Sequence, residues 1–562
     1  MKGDKLGLAL AAAAVVAAAA LGLAVRLRDP LSSPVLAAED PFTHMALVKE
    51  HLSDGRIDPL NAGGGLYPPG LHAVLAAVQV ASGAKLYDLM RFGAPVLGVL
   101  SILGVATLVW RWLGPAAAAV AATCAALAPE WVLRSTLMAP TALDLALLPF
   151  LFAMLLEVVA GRLAWAAPAG AITVFLVVAH PWVLAIAAPS GLLFGLLVLL
   201  LPVHTRRPTW MGLSLAAAIL GIGAGLSVSG CWGTCGPGFN DVADWSAPLL
   251  DTLGWGAIAA GFLPLALLIA LRGRRLKAPP GWRRPSQVVS SAWCVFLVGT
   301  TAGFVAATVH VGLPPQVNLV RMFGWPLLAL AAVGLAAAPF LRNPLGHLGL
   351  GTVGATLPFT LTNPLHSPFW SHRTAAYLGL GLVLLAGAAA HALALLAAKA
   401  TAALRTRLAR GRPRSAAVRF AWPALASGLV VVLLAGSVVA VPNAYPGWYR
   451  LYTPCEFEAL QQIARQTADQ PGRLVVAGSW QAKLVLAALG TNADRMWYKP
   501  DAFDKGSGAF TSSMAGKAPL VVVDPWLTKD VPGANTTFLT RAPWRPVADW
   551  TCEQPISTYT RS

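Results

Sequence analysis

The chain has 562 residues, 57% of them hydrophobic and only 12% charged, with a formal net charge of +17. Soluble domains carry about 25% charged residues, so these proportions exclude a soluble globular enzyme and assign most of the chain to lipid. The basic excess falls in alternate loops between apolar runs, the pattern of cytoplasmic anchoring rather than of a nucleic-acid surface. Ala, Leu, Gly and Arg abound while Lys is scarce, as in proteins of GC-rich bacteria, which predicts a bacterial plasma-membrane protein.

Residues 1–25 start with Lys2 and Lys5 and continue as a long Ala/Leu run. The run is long for a signal peptide, so it reads as a retained first helix with its start in the cytoplasm. An outer loop over 26–86 follows. It carries Glu39-Asp40-Pro41-Phe42-Thr43-His44 and Tyr67-Pro68-Pro69-Gly70-Leu71-His72. Apolar Phe42, Met45, Ala46, Val48 and Leu52 predict an interfacial helix over 41–53, and 69–80 predicts a second, opened by Pro at its first turn. Further apolar spans fall near 87–110, 114–133, 141–160, 163–180, 182–203, 210–229, 249–271, 288–310, 320–341, 347–363, 374–398 and 419–441. With the first helix this makes about thirteen spans. Basic loops alternate with acidic and aromatic ones, so the N-terminus is expected in the cytoplasm and the C-terminus outside. Residues 1–441 are thus expected to form a polytopic α-helical membrane domain. Residues 442–562 differ in composition. Arg473–Gly478 and Pro519–Asp524 read as strands and Gln481–Leu489 as a helix, predicting a small extracytoplasmic α/β domain.

Cys124 and Cys294 lie inside apolar runs and read as packing residues. Cys231 and Cys235 share an outer loop, while Cys455 and Cys552 lie near the ends of the tail. Outside the membrane both pairs are expected to be oxidised. Cys231-Trp-Gly-Thr-Cys235 lacks a second ligand pair, so no metal is assigned to it. No cofactor is predicted, and a divalent cation is left open.

The acidic-aromatic loop is the chief candidate for chemistry, because ionisable groups beside lipid are costly and usually functional. Asp40 and His44 are four residues apart on the expected helix and can approach one another. A carboxylate there can serve as general base, with His44, Tyr67 and His72 binding substrate. Asp40 before Pro41 is equally an ordinary helix cap. Arg373, with His372 beside it and Tyr377 one turn on, is placed to hold a lipid phosphate; Arg321 is a second such candidate. Both can instead be snorkelling side chains. Arg134 is the nearest partner in sequence for the intramembrane Asp144, and His180 in His180-Pro181-Trp182 can face a cavity or merely make a turn. Walker, dinucleotide-binding and HExxH patterns are absent.

An acidic motif directly after helix one, followed by two interfacial helices, resembles the GT-C glycosyltransferase superfamily. The Asp40-x-x-x-His44 and Tyr67-Pro-Pro-Gly-x-His72 pair looks most like its actinobacterial members. The resemblance covers the membrane part, but its sharp motifs lie in the first loop alone. It implies an inverting transfer from a polyprenyl-phosphate sugar to an envelope glycan or glycolipid on the outer face, arabinofuranosyl or mannosyl transfer among the options. It places the base on Asp40, with Glu39 as alternative, and the phosphate-binding arginine on Arg373. Family members show paired Asp-Asp or Asp-Glu where this chain has Glu-Asp, which leaves the two carboxylates open. A transporter of lipid-linked glycans would carry its ionisable groups near the midplane instead. A non-catalytic envelope scaffold would leave the acidic cluster without a role.

Overall fold

The computed structural model describes residues 2–53, 68–180, 182–200, 209–231, 319–341, 343–362, 368–408, 451–470, 472–491, 495–498, 503, 519–531 and 534–561. The expected spans 249–271, 288–310 and 419–441 lie outside the described residues.

Helix α1 (Lys2–Ser32) extends past the expected end of the first span. It is followed by α2 (Asp40–Ser53) and α3 (Gly70–Ser82), which match in span the two helices expected in the first loop. The bundle continues with α4 (Leu86–Leu113), α5 (Pro115–Leu127), α6 (Pro129–Arg134), α7 (Pro140–Val159), α8 (Ala166–Ala179), α9 (Trp182–Leu200) and α10 (Trp210–Cys231). After a gap in the described residues come α11 (Leu319–Phe323), α12 (Trp325–Leu341), α13 (Pro344–Thr362) and α14 (Pro368–Leu408). Among the described residues four helices are long and apolar enough to cross a membrane: 7–32, 86–113, 140–159 and 374–400.

The span expected over 114–133 is broken. Pro129 has no N–H to give the carbonyl of Ala125, so the helix stops at Leu127 and restarts as α6. Arg26 repairs the break. Residue 26 was assigned to the outer loop, yet its side chain is 0% exposed inside the bundle. Its Nη2 donates to the Ala125 carbonyl at 3.2 Å, Nη1 to those of Ala126 at 3.1 Å and Gly22 at 2.9 Å, and Nε to Ser135 Oγ at 2.6 Å. In a lipid-facing bundle freed carbonyls need such a donor.

The tail folds as predicted around a five-stranded sheet of order β2-β1-β3-β5-β4. Strands β1 (Val475–Ala477), β2 (Met496–Tyr498) and β3 (Leu520–Val523) are parallel, and β4 (Trp544–Trp550) and β5 (Ile556–Arg561) form an antiparallel extension. Helix α15 (Pro454–Ala468) opens with a capping box between Thr453 and Glu456, and α16 (Trp480–Leu489) follows β1. A disulfide joins Cys455, in the first turn of α15, to Cys552 between β4 and β5.

Two of the apolar cores among the described residues position the acidic motif. One runs through the helix bundle. The second is shared: Phe42 and Met45 of α2, Leu71 of α3, Met90 of α4, Leu143 of α7 and Ala179 of α8 pack with Tyr452, Phe457, Leu460 and Val485 of the tail. Phe457 lies 6.0 Å from the Phe42 ring and 5.9 Å from that of Tyr87. The first loop is therefore the seat on which the tail is built.

Candidate functional site

The acidic motif lies at the tail-bearing end of the bundle. Ala37 and Ala38 pack on Leu133 of α6 and on Leu137 just past it. Ala38 takes φ 62°, a left-handed conformation that costs a residue with a Cβ about 1 kcal/mol and bends the chain into α2. The Glu39 carbonyl accepts from Phe42 N at 3.0 Å and Thr43 N at 3.2 Å, so Glu39 is the N-cap and Asp40 the first helical residue. The cap expected at Asp40 thus falls one residue earlier. Pro41 follows where a missing N–H costs nothing. The two carboxylates then part company: Glu39 Oε1 accepts from Trp480 Nε1 of the tail at 2.8 Å, while Asp40 is exposed.

His44 is buried, and its Nδ1 lies 2.9 Å from Nε2 of His72 on α3. His51, two turns along α2, brings its ring to 5.8 Å from that of His72. Burial, and then the neighbouring His44 and His51, hold His72 well below the ordinary histidine range. His72 is thus kept largely neutral between the two helices. Among the described residues no group of three or more His, Cys, Asp or Glu is placed to hold a metal ion.

Helix α3 reaches α8 because residue 70 is glycine: a Cβ there would lie 2.6 Å from Ala179 Cα. The next residue after Ala179 is His180, whose Nδ1 bonds Asp144 Oδ2; the Tyr377 hydroxyl of α14 donates to the same oxygen. The ion pair expected between Arg134 and Asp144 is therefore not formed. Arg134 Nε instead bonds Glu130 Oε1 one turn back, at 2.8 Å. Tyr377, expected to steady a phosphate beside Arg373, is buried with its hydroxyl on Asp144. Helix α6 meets α11 and α14 where Phe323, Trp131 and Gly379 touch, and α11 carries the exposed Arg321. Arg373 precedes Tyr377 by one turn of α14, with His372 beside it; their side chains lie outside the described ones. Tyr67 and Cys235 are outside the described residues, and of Cys231 only its place at the end of α10 is described.

Three participants escaped sequence reasoning. Glu130 and Arg26 had signals, as charges beside a Pro-interrupted apolar run. Trp480 had none, standing 441 residues from Glu39. Chemically, the corner offers one exposed carboxylate able to take a proton, a second tied to the tail, and a buried Asp144–His180–Tyr377 network fixing α7, α14 and the turn before α9.

The sequence matches no protein-family model and no curated protein. The fold, however, is that of the GT-C glycosyltransferases. The oligosaccharyltransferase of Archaeoglobus fulgidus superposes with a TM-score of 0.55 at 15% identity, over 92% of this chain and 70% of that one. ArnT from Cupriavidus metallidurans superposes with 0.53 at 14% identity, over 99% of this chain and 98% of that one. ArnT bound to undecaprenyl phosphate gives 0.52 at 13% identity, over 98% and 97%.

Proposed function

We propose that this protein is an inverting glycosyltransferase, moving a sugar from a polyprenyl-phosphate donor to a cell-envelope glycan or glycolipid at the outer face of the membrane. The observation that carries the reading is the division of labour in Glu39-Asp40. On a GT-C fold, directly after the first helix, Asp40 is exposed while Glu39 is engaged by Trp480. ArnT, which matches over nearly its whole length, has been seen with undecaprenyl phosphate, and a lipid-phosphate donor is carried over to this chain on that basis.

In this mechanism Asp40 accepts the proton of the acceptor hydroxyl as its oxygen attacks the anomeric carbon from the face opposite the phosphate. The leaving group departs as a polyprenyl phosphate and needs no acid, because its charge is already stable in water and is held by a cation. Arg373 is the proposed clamp, as a planar guanidinium can bond two phosphate oxygens at once. One carboxylate and one cation are enough for a single displacement; a second carboxylate as nucleophile would give retention.

The test is sugar transfer by the purified full chain from a synthetic polyprenyl-phosphate sugar. Asp40→Asn keeps size and polarity but removes basicity, and turnover should fall about 10²–10⁴-fold with donor affinity unchanged. Arg373→Ala should raise the donor KM instead. Full turnover in Asp40→Asn with an inactive Glu39→Gln would move the base to Glu39, and full turnover in both would end the mechanism.

A further inference from the structure

The end of the bundle away from the tail carries a charge cluster that the proposed transfer does not use. From Met90, in the core shared with the tail, α4 rises about 32 Å to Arg111, one hydrocarbon thickness away. Helix α7 leaves the same core at Leu143, and Glu157 lies in its last turn. The Glu157 side chain is 7% exposed, and each of its oxygens meets one arginine. Oε1 accepts from Arg111 Nε at 2.7 Å, and Oε2 pairs with Arg162 Nη1 at 2.9 Å.

The chain beyond α7 is shaped for this. Gly161 N donates to the Val158 carbonyl and Arg162 N to that of Glu157, both at 2.9 Å, the Schellman closure of a helix end. Such a closure needs a left-handed residue, and Gly161 takes φ 90°. The turn brings Arg162 back over the helix it has just left. Arg111 and Arg162 still keep 41% and 50% of their side chains exposed. Among the described residues nothing bonds Nη1 and Nη2 of Arg111 or Nε and Nη2 of Arg162. One arginine balances Glu157, so the other leaves a unit of positive charge at two open forks. Snorkelling arginines reach for water separately; these two are fixed side by side on one buried carboxylate. A guanidinium fork matches two phosphate oxygens, so the cluster has the chemistry of a phosphate site.

The surroundings point to the phosphate's carrier. Val96, Leu100, Leu103 and Thr107 form a row along one face of α4 that ends at Arg111. Among the described residues this row is open, with Val96, Leu100 and Thr107 exposed. Trp165, 42% exposed, donates its backbone N–H to the Arg162 carbonyl at 3.1 Å and sets the turn at the level of the membrane interface. A free phosphate has no use for the row, whereas a glycerophospholipid lays an acyl chain along it and its headgroup on the arginines. A zwitterionic headgroup would bring an ammonium to a place already holding excess cation, so a net negative lipid is preferred.

We infer that Arg111 and Arg162, held on Glu157, bind the phosphate headgroup of an anionic glycerophospholipid in the leaflet opposite the tail. The site needs no part of the proposed transfer.

The experiment is native mass spectrometry of the delipidated full chain in neutral detergent at about 0.15 M ionic strength. Phosphatidylglycerol is titrated against phosphatidylcholine of the same acyl chains, and should bind about fivefold more tightly, the effect of roughly one unit charge at a membrane surface. Arg111→Gln and Arg162→Gln should each weaken it about tenfold, the factor that one charge-assisted hydrogen bond supplies. Lys399→Gln removes an exposed charge at the same end of the bundle and should stay within about twofold, because salt screens a charge outside the cluster. Melting temperatures check folding. Where a Gln variant does not fold, Arg111→Lys or Arg162→Lys replaces it, keeping the charge against Glu157 while losing the fork. Equal affinity for the two lipids, full affinity in both arginine variants, or an equal loss in Lys399→Gln would overturn the site. Displacement of the lipid by inorganic phosphate would overturn it too, assigning the arginines to a free anion.

Discussion

Arg26 shows how one side chain can hold a membrane fold together. Its fork occupies carbonyls left open where Pro129 ends a helix, and these have no water to turn to. Arg26→Ala should cost about 2–5 kcal/mol, since each stranded carbonyl costs roughly 1–3. Arg26→Lys should recover little of it, having three donors on a point charge instead of a planar five-donor fork. Thermal melting in detergent measures both. His72 makes a second residue-scale prediction, in pH. Its folded pKa is pushed well below the ordinary 6.5 by burial and its two histidine neighbours. The unfolded chain therefore binds the proton more readily, so the stability is complete above about pH 6.5 and is lost as pH falls below it. The melting temperature should drop between pH 7.5 and 5, and the drop should be shallower in His72→Gln. An equal slope in both would show that other groups carry the dependence.

At the scale of elements, the close approach of α3 to α8 depends on Gly70. Gly70→Ala would press a methyl into the Ala179 backbone, separating the helix that carries His72 from the turn that carries His180. Overpacking of this sort costs roughly 1–3 kcal/mol. It should reduce transfer more than it lowers the melting temperature, because the displaced elements flank the acidic motif. The two interfacial helices and the tail's first strand, helix and third strand were legible because periodicity and Pro/Gly punctuation are local. The pairings were not. Asp144 was matched to Arg134 by nearness in sequence, but its partners sit 36 and 233 residues away, on other elements. Likewise the contact between His44 and His72 joins two helices 28 residues apart, which the sequence does not reveal. The motif was readable as a place; its internal contacts were decided by tertiary packing.

For the whole molecule, the shared core makes tail and membrane domain one structural unit at the acidic motif. Phe457→Ala would open a cavity worth about 3–5 kcal/mol beneath Phe42 and Tyr87. Hydrogen exchange should then rise in α2 as well as in α15; a rise confined to α15 would show two independent units. The Cys455–Cys552 bridge closes a loop across 97 residues and should contribute about 4–5 kcal/mol by constraining the unfolded tail. The Glu39–Trp480 contact also has a consequence in time. Its partners are made 441 residues apart, and at about 5–20 residues per second that gap lasts roughly 20–90 s. Until residues 451–561 have been made and have folded, the first loop stands without its cover and Glu39 without its indole. The corner is therefore completed only when a later-made segment returns to the first loop.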